Sequence, residues 1–364
     1  MNYNKEIYIK ERKISLDTPT YFIADIASNH DGDLERAKSL IWLAKEAGAD
    51  AVKFQHFLAE KIVSDYGFKH LGVQIGHQST WKKSVFDVYK ECEYHRDWNQ
   101  ALAETASEAG IDFMTTPYDI EAVEQIDSYV PAYKIGSGDI TWVDFIDYVA
   151  KKQKPVFLAT GASSLEDVER AVNTVVRKNP NVVLMQCNTN YTGSIENFKY
   201  VNLNVFNQYK SKYPNMLLGL SDHTPGHVTV LGAVALGARV IEKHFTSDNS
   251  RIGPDHAFSM NPKSWREMMD SARALEYALG DGEKKVEDNE KDTVVVQQRC
   301  LRLVHDVQAG HKLQAEDLEA LRPAPVNAYK PYQKLDVIGK YVINNMAKGQ
   351  EIYAEDLSKE VLKC

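Results

Sequence analysis

Little in this sequence supports export, membrane insertion or a disulfide framework. Its 364 residues hold four cysteines, Cys92, Cys187, Cys300 and Cys364, with no CxxC pair. That usage reads as reduced thiols of a cytoplasmic protein. No apolar stretch approaches the roughly 18 residues of a membrane span, and the opening segment MNYNKEIYIKERKI lacks the apolar core of a signal peptide. No membrane partner and no export are therefore expected. Excess positive charge is also missing: 43 Lys and Arg against 51 Asp and Glu leave a net charge of −8, which argues against a nucleic-acid partner. No GxGxxG follows the first candidate strand, so a dinucleotide-binding sheet is disfavoured. At 43% hydrophobic and 26% charged, the composition is that of a folded globule.

What the sequence does contain is a rhythm. Short apolar, β-branched runs alternate with stretches of helical period from Tyr21 to Phe245. Eight strands are predicted, over Tyr21–Ala27, Asp50–Gln55, Asp112–Pro117, Ala132–Ser137, Val156–Thr160, Val182–Cys187, Met216–Asp222 and Arg239–Phe245. Between them Leu34, Ala37, Leu40, Ile41, Ala44 and Ala47 form one apolar stripe that stops at Gly48, as at a helix C-cap. Similar stripes lie around Ala101–Ala109 and Leu165–Val176. Eight βα units predict an α/β fold of the closed (β/α)₈ TIM-barrel type over residues 1–280.

Two stretches break the rhythm. The segment DYGFKHLGVQIGHQSTW reads as a long loop above the barrel mouth. The charged run Gly280–Asp292 reads as a linker, assigned to 281–295, ahead of a small domain over 296–364. That domain holds a repeat, AGHKLQAEDL (Ala309–Leu318) and KGQEIYAEDL (Lys348–Leu357), with Gly310 and Gly349 39 residues apart. Two copies of a turn, strand and AEDL turn predict a pseudo-symmetric β domain.

Active sites of such barrels lie at the C-terminal strand ends, which here offer polar residues from every strand. Lys53 and Lys134 each interrupt an apolar strand, where an unpaired ammonium is costly to desolvate. With Thr116, Ser137, Thr160 and the Gly136, Gly138 and Gly161 backbone they can cradle a phosphate or carboxylate; the alternative is pairing with a local acid such as Asp25 or Glu242. His223 and His244 stand 21 residues apart, about one βα repeat, so adjacent strands can bring both imidazoles to one divalent ion. Asp222, Glu242 and water would complete an oxygen-rich shell suited to Mn²⁺ or Mg²⁺, with no thiol nearby for zinc; hydrogen-bonded core histidines are the alternative. Asp31 and Asp33 read as turn and helix-start residues, while Asn29 and His30 are open to a proton-shuttle or an orienting role.

Seven ordered motifs give the chain a resemblance: NHDG (Asn29–Gly32), AVKFQ (Ala51–Gln55), TTPYD (Thr115–Asp119), YKIGSGDI (Tyr133–Ile140), GLSDHTPG (Gly219–Gly226), EKHF (Glu242–Phe245) and GPDHAFS (Gly253–Ser259). Together they resemble the sialic acid synthases, which condense phosphoenolpyruvate with N-acetylmannosamine or a related aldose into a nine-carbon 2-keto acid. The C-terminal repeat is similar to that family's antifreeze-like SAF domain, of β-clip type. The resemblance implies that Lys53, Thr116, Lys134 and Ser137 hold phosphoenolpyruvate, with Thr189 beside them, and that His223 and His244 ligate Mn²⁺ or another divalent ion. It further implies that Gln55, Tyr191, Glu242 and Asp255 line the sugar and metal site. Arg299 matches an arginine that a partner subunit extends over the acceptor's N-acyl group, which implies a domain-swapped homodimer. Asp25 and Glu242 are the carboxylates for positioning water or the groups at the metal.

The chain also departs from that family. Asp25 replaces a usual Glu, Ala159 a usual Ser, and Thr189 and Thr192 a usual Asn and Pro. These changes bear on the acceptor, leaving legionaminic, pseudaminic or deaminated products as alternatives. A Schiff-base lyase using Lys134 and a non-catalytic carbohydrate-binding barrel are the readings from other classes.

Overall fold

The computed structural model describes residues 2–73, 78–79 and 81–360, and its chain divides into two compact units, Met1–Gly280 and Asp281–Cys364. The first begins with an antiparallel hairpin, β1 (Glu6–Ile9) and β2 (Arg12–Ser15). Eight strands follow: β3 (Tyr21–Asp25), β4 (Ala51–His56), β5 (Asp112–Pro117), β6 (Tyr133–Ile135), β7 (Val156–Ala159), β8 (Val182–Cys187), β9 (Leu217–Asp222) and β10 (Val240–His244). All eight are the predicted ones. They pair in parallel and in sequence, and β10 returns to pair with β3, closing the TIM barrel.

Side chains alternate across a strand, and that alternation builds both cores. Tyr21, Ile23, Ala51, Met114, Ala132, Phe157, Val183, Met185, Leu217 and Val240 fill the barrel interior. Ile7, Ile9 and Ile14 of the hairpin join them and plug one end. No strand was assigned to the charged N-terminal segment, although the alternation of Glu6, Ile7, Tyr8 and Ile9 carries the signal. The opposite strand faces, including Phe22, Val52, Phe54, Leu158, Leu220 and Ile241, pack beneath the helices. Moving up each strand in steps of two from the interior layer reaches Asp25, Lys53, Thr116, Lys134, Cys187, Ser221 and Glu242. The strand period thus places the polar set on the inner face at the mouth.

The predicted helices form over Leu34–Ala47, Asn99–Ala109 and Leu165–Val176. Asp33 caps the first by accepting from the Glu35 and Arg36 amides, and Gly48 ends it at φ 100°, a conformation glycine adopts without strain. Three short helices lie in and around the stretch read as a long loop, Ala59–Ile62 before it, Asp65–His70 inside it and Val85–Glu91 after it. Ser64 and Ser84 cap the latter two. Residues 74–77 and 80 of that loop lie outside the described residues.

The second unit is organised by its repeat. Each AEDL turn is a 3₁₀ segment, Ala315–Asp317 and Ala354–Asp356, followed by an edge strand. Strands β11 (Cys300–Leu303) and β12 (Leu318–Leu321) pair antiparallel, as do β13 (Tyr341–Val342) and β14 (Leu357–Ser358). Leu301, Leu303, Leu313, Val337, Val342 and Ile352 form one apolar core between the copies. The stretch read as linker is not extended throughout, because Lys291–Gln297 is a helix that runs past its expected end. Among the described residues Cys92, Cys187 and Cys300 are free thiols, and no helix is long and apolar enough to cross a membrane; Cys364 lies outside them.

Candidate active site at the barrel mouth

Both lysines that interrupt the strands point inward, and each meets an acid. Lys53 Nζ lies 2.9 Å from Asp25 Oδ2 and donates to Thr116 Oγ1 at 3.0 Å. The β3–β4 register sets Lys53 directly beside Asp25, so this pair is a neighbour contact. Lys134 reaches further: β6 is four strands from β10 around the barrel, yet Lys134 Nζ donates to Glu242 Oε1 at 2.5 Å and to Ser221 Oγ at 3.0 Å. All four charged side chains are buried. Burial pushes the Asp25 carboxyl up, but Lys53 and His244 outweigh it and hold it down at about 2. For Lys134, burial works against the charge and the Glu242 carboxylate outweighs it, raising the ammonium above the usual lysine value. The local-acid alternative is thus realised for both lysines. Pairing gives each ammonium group a counter-charge inside the barrel, where an unpaired one is costly to desolvate.

Gly161 sits where the loops after β6, β7 and β8 converge. Its amide donates to Ser137 Oγ at 3.0 Å, and an added Cβ would fall 1.9 Å from Thr189 Oγ1 and 3.1 Å from Cys187 Sγ. Only glycine lets Ser137, Thr189 and Cys187 close together here. Thr160 of the same turn is committed elsewhere: its hydroxyl donates to the Met185 carbonyl and accepts from Tyr209.

His223 and His244 meet as the repeat spacing predicts, with ring centroids 5.2 Å apart. Tyr191 packs on His223 at 4.3 Å, and Phe258 on His244 at 5.0 Å. His223 Nδ1 lies 3.1 Å from the Asn188 carbonyl, and donation there leaves Nε2 with its lone pair available. His244 Nδ1 is buried with no hydrogen-bond partner among the described residues; Asp255 Oδ2 lies 4.0 Å away, and Asp25 Oδ2 is 3.7 Å from Nε2. Burial holds the His244 imidazolium below its usual value, favouring the neutral ligand form. For His223 burial works against the charge, but the contact with Cys187 outweighs it and raises the imidazolium above its usual value. Two imidazoles, one with an orphaned nitrogen, beside two carboxylates offer the donor set of a divalent cation, which would displace the His223 proton on binding. Glu242 Oε2 is likewise buried without a partner.

Two expectations about this shell are corrected. Asp222 takes no part in it: Lys243 Nζ pairs with its Oδ2 at 2.5 Å, and Thr224 and Thr229 donate to it. Its place on β9 is one residue off the inward series, so it faces the helices. A thiol does lie nearby, since Cys187 Sγ is 4.0 Å from His223 Nδ1, the nitrogen that also meets the Asn188 carbonyl. His30 has an orienting role: its Nδ1 accepts from the Gly32 amide, its ring packs against Trp98, and burial lowers it to about 4, leaving it neutral. Asn29 donates to the Phe245 carbonyl and Ser259, tying the loop after β3 to that after β10.

The mouth opens into a cavity of about 380 Å³ lined by Gln55, Ser137, Thr189, Tyr191, His244 and Asp255 on its polar side. Gln55 donates to Asp25 at 3.0 Å, and Ser28 holds Asp255 at 2.5 Å. Phe57, Ile62, Trp81, Val88 and Tyr89 form an apolar wall from the segment after β4. Sequence reading did not single out Asp139, which also lines the cavity; burial raises its carboxyl to about 6 and its Oδ2 has no partner among the described residues. Its position inside YKIGSGDI was the available signal. Arg299 belongs to the second unit, where its guanidinium donates to the Ala320 carbonyl at 2.7 Å.

Taken together, the first unit is a TIM barrel whose mouth gathers paired lysines, hydroxyls and two imidazoles, with Ser137, Thr189 and His244 lining its cavity. Residues 40–284 match the NeuB family and residues 298–358 the SAF domain, and the chain belongs to the NeuB family. It is 34% identical over 364 residues to the N,N'-diacetyllegionaminic acid synthase of Legionella pneumophila, covering 98% of this chain and 99% of that one. The pseudaminic acid synthase of Campylobacter jejuni is 32% identical over 343 residues, covering 93% and 97%. Among solved structures, the N-acetylneuraminic acid synthetase of Leptospira borgpetersenii, in complex with citrate, matches with a TM-score of 0.69 and 28% identity over 79% of this chain and 95% of that one.

Proposed function

We propose that this protein condenses phosphoenolpyruvate with an N-acetylmannosamine-like aldose, forming a nine-carbon 2-keto sugar acid and releasing phosphate. The observation that carries this reading is the pair of buried ammonium groups, Lys53 and Lys134, on the inner face of the barrel whose mouth also holds His223 and His244. A divalent ion such as Mn²⁺ on the two imidazoles would supply Lewis acidity toward the acceptor's aldehyde oxygen. Lys53, Thr116, Lys134 and Ser137 bind and orient the phosphate and carboxylate of phosphoenolpyruvate. Carbon 3 of the enol forms a bond to the aldehyde carbon, water adds at carbon 2, and phosphate leaves by C–O cleavage. Asp25 and Glu242 hold the water, and Glu242 Oε2, buried and unpartnered, is the acceptor best placed for its proton. Lys53 and Lys134 then balance the charge of the departing phosphate.

Lys134 suits this role better than a Schiff base, because Glu242 keeps it protonated and so removes its nucleophilic lone pair. The apolar wall of Phe57, Ile62, Trp81 and Val88 favours one variation, an acceptor with extra acyl or deoxy carbons, as in legionaminic or pseudaminic precursors. The reading includes the homodimer, with the partner's Arg299 meeting the acceptor's N-acyl group. Mass spectrometry of products from phosphoenolpyruvate and a panel of C6 aldoses with Mn²⁺ tests the proposal and names the acceptor. Absence of phosphate release with every acceptor would overturn it and favour a binding protein.

A further inference from the structure

The second unit gathers a separate set of donors. His305, His311 and Asp317 follow one another at intervals of six residues, and one ligand atom from each lies within 4.8 Å of the others. His311 Nε2 is 2.8 Å from Asp317 Oδ2, and His305 Nε2 is 3.3 Å from Oδ1. Asp317 is buried, whereas His305 is exposed and His311 half-exposed.

The repeat supplies an internal comparison. At the corresponding places, 39 residues later, stand Asn344, Gln350 and Asp356. Asp356 accepts from the Tyr353 amide at 2.9 Å just as Asp317 accepts from the Gln314 amide at 2.7 Å, so both turns are held by aspartate alone. The same backbone therefore forms without either imidazole. The histidines of the first copy add something the fold does not require.

We propose that His305, His311 and Asp317 form a binding site for a late first-row divalent cation of the zinc, nickel or copper type. Imidazole nitrogen suits these ions better than magnesium or calcium, which prefer oxygen sets. Without the ion each imidazole turns its Nε2 to a different oxygen of one carboxylate. Binding replaces these two contacts by ligation at about 2.0–2.2 Å, and the exposed His305 is free to rotate by the small amount required. Three protein ligands leave coordination positions for water or for a donor from another molecule.

The test is equilibrium dialysis of the full chain against zinc, comparing the unaltered protein with the double variant His305→Asn/His311→Gln. That variant installs what the second repeat already carries, so it retains the fold, which circular dichroism checks. Both proteins keep the barrel histidines, and the difference between them isolates this site. The unaltered chain is expected to bind one zinc equivalent more, and Cu²⁺ titrated in place of zinc should show imidazole nitrogen couplings by electron paramagnetic resonance that the variant loses. Equal stoichiometry in the two proteins would overturn the proposal. Should the double variant misfold, His305→Asn alone alters an exposed side chain, and unchanged zinc affinity in it would be equally fatal.

Discussion

The Lys134–Glu242 contact spans the barrel interior, and breaking it from either side should cost far more than removing it whole. Both side chains are buried, at 5% and 3% exposure, and Glu242 Oε1 has Ser221 as its other neighbour at 3.3 Å. Lys134→Met therefore leaves a desolvated carboxylate, and Glu242→Met a desolvated ammonium. Stranding one member of a buried pair costs about 3–5 kcal/mol, a large share of a stability of about 5–15 kcal/mol. At an m-value of about 3 kcal/mol/M in urea, the barrel's midpoint should fall by about 1–1.7 M in each single variant. The double variant, with two thioethers in the same space, should recover at least half of the summed loss, because no charge is left unpaired. Phosphate release should be lost in all three variants, since each lacks the Lys134 ammonium, the Glu242 carboxylate that holds the water, or both. Urea denaturation followed by tryptophan fluorescence, with a coupled phosphate assay, measures both quantities. Single variants within about 1 kcal/mol of the unaltered protein, or a double variant whose loss is the sum of the two, would refute the reasoning.

Gly161→Ala should displace Thr189 and Ser137, costing about 1–3 kcal/mol by overpacking and raising the KM for phosphoenolpyruvate about tenfold or more; adding Thr189→Ala should return part of both, and an unchanged KM in the single variant would count against the cradle. Acid should weaken the fold early: burial lowers His56 to about 3 and His30 to about 4, so unfolded chains bind protons from pH 6.5 downward that folded ones refuse. Stability from these two histidines is present above pH 6.5 and lost progressively as pH falls toward 3, by about 2 kcal/mol each at pH 5; denaturation curves across that range should flatten in His56→Gln. His244→Ala should reduce activity and divalent-ion dependence together, and full turnover of the unaltered protein in excess chelator would exclude the metal role.

The strands and the inward set were legible because both follow from a short period. An apolar run of four to six residues predicts a strand, and two-residue steps along it separate Lys53, Lys134, Glu242 and His244 from outward-facing neighbours. Applying that parity to Asp222 and Lys243 would have sent both to the helix side, where they pair with each other. The hairpin plug was missed for the opposite reason. Its buried isoleucines are few, and the charged residues between them dominate the composition although alternation alone carries the strand signal.

Partner choice inside the barrel follows a different rule. Lys53 meets Asp25 across adjacent strands, a pairing that register determines and that a sequence reader can enumerate. Lys134 meets Glu242 across the barrel's full width, which depends on strand number, tilt and stagger together. No local pattern encodes that distance, yet the side chain that bridges it must be long. Lysine on β6 and glutamate on β10 together supply the reach, and shortening either leaves the other buried without its counter-charge. Diametric contacts of this kind join the two halves of the mouth, so geometry at the Ser137 and Gly161 turn is coupled to that at His244, two residues beyond Glu242. A substitution on one side of the cavity should therefore be felt by ligands held on the other, in proportion to the charge it strands.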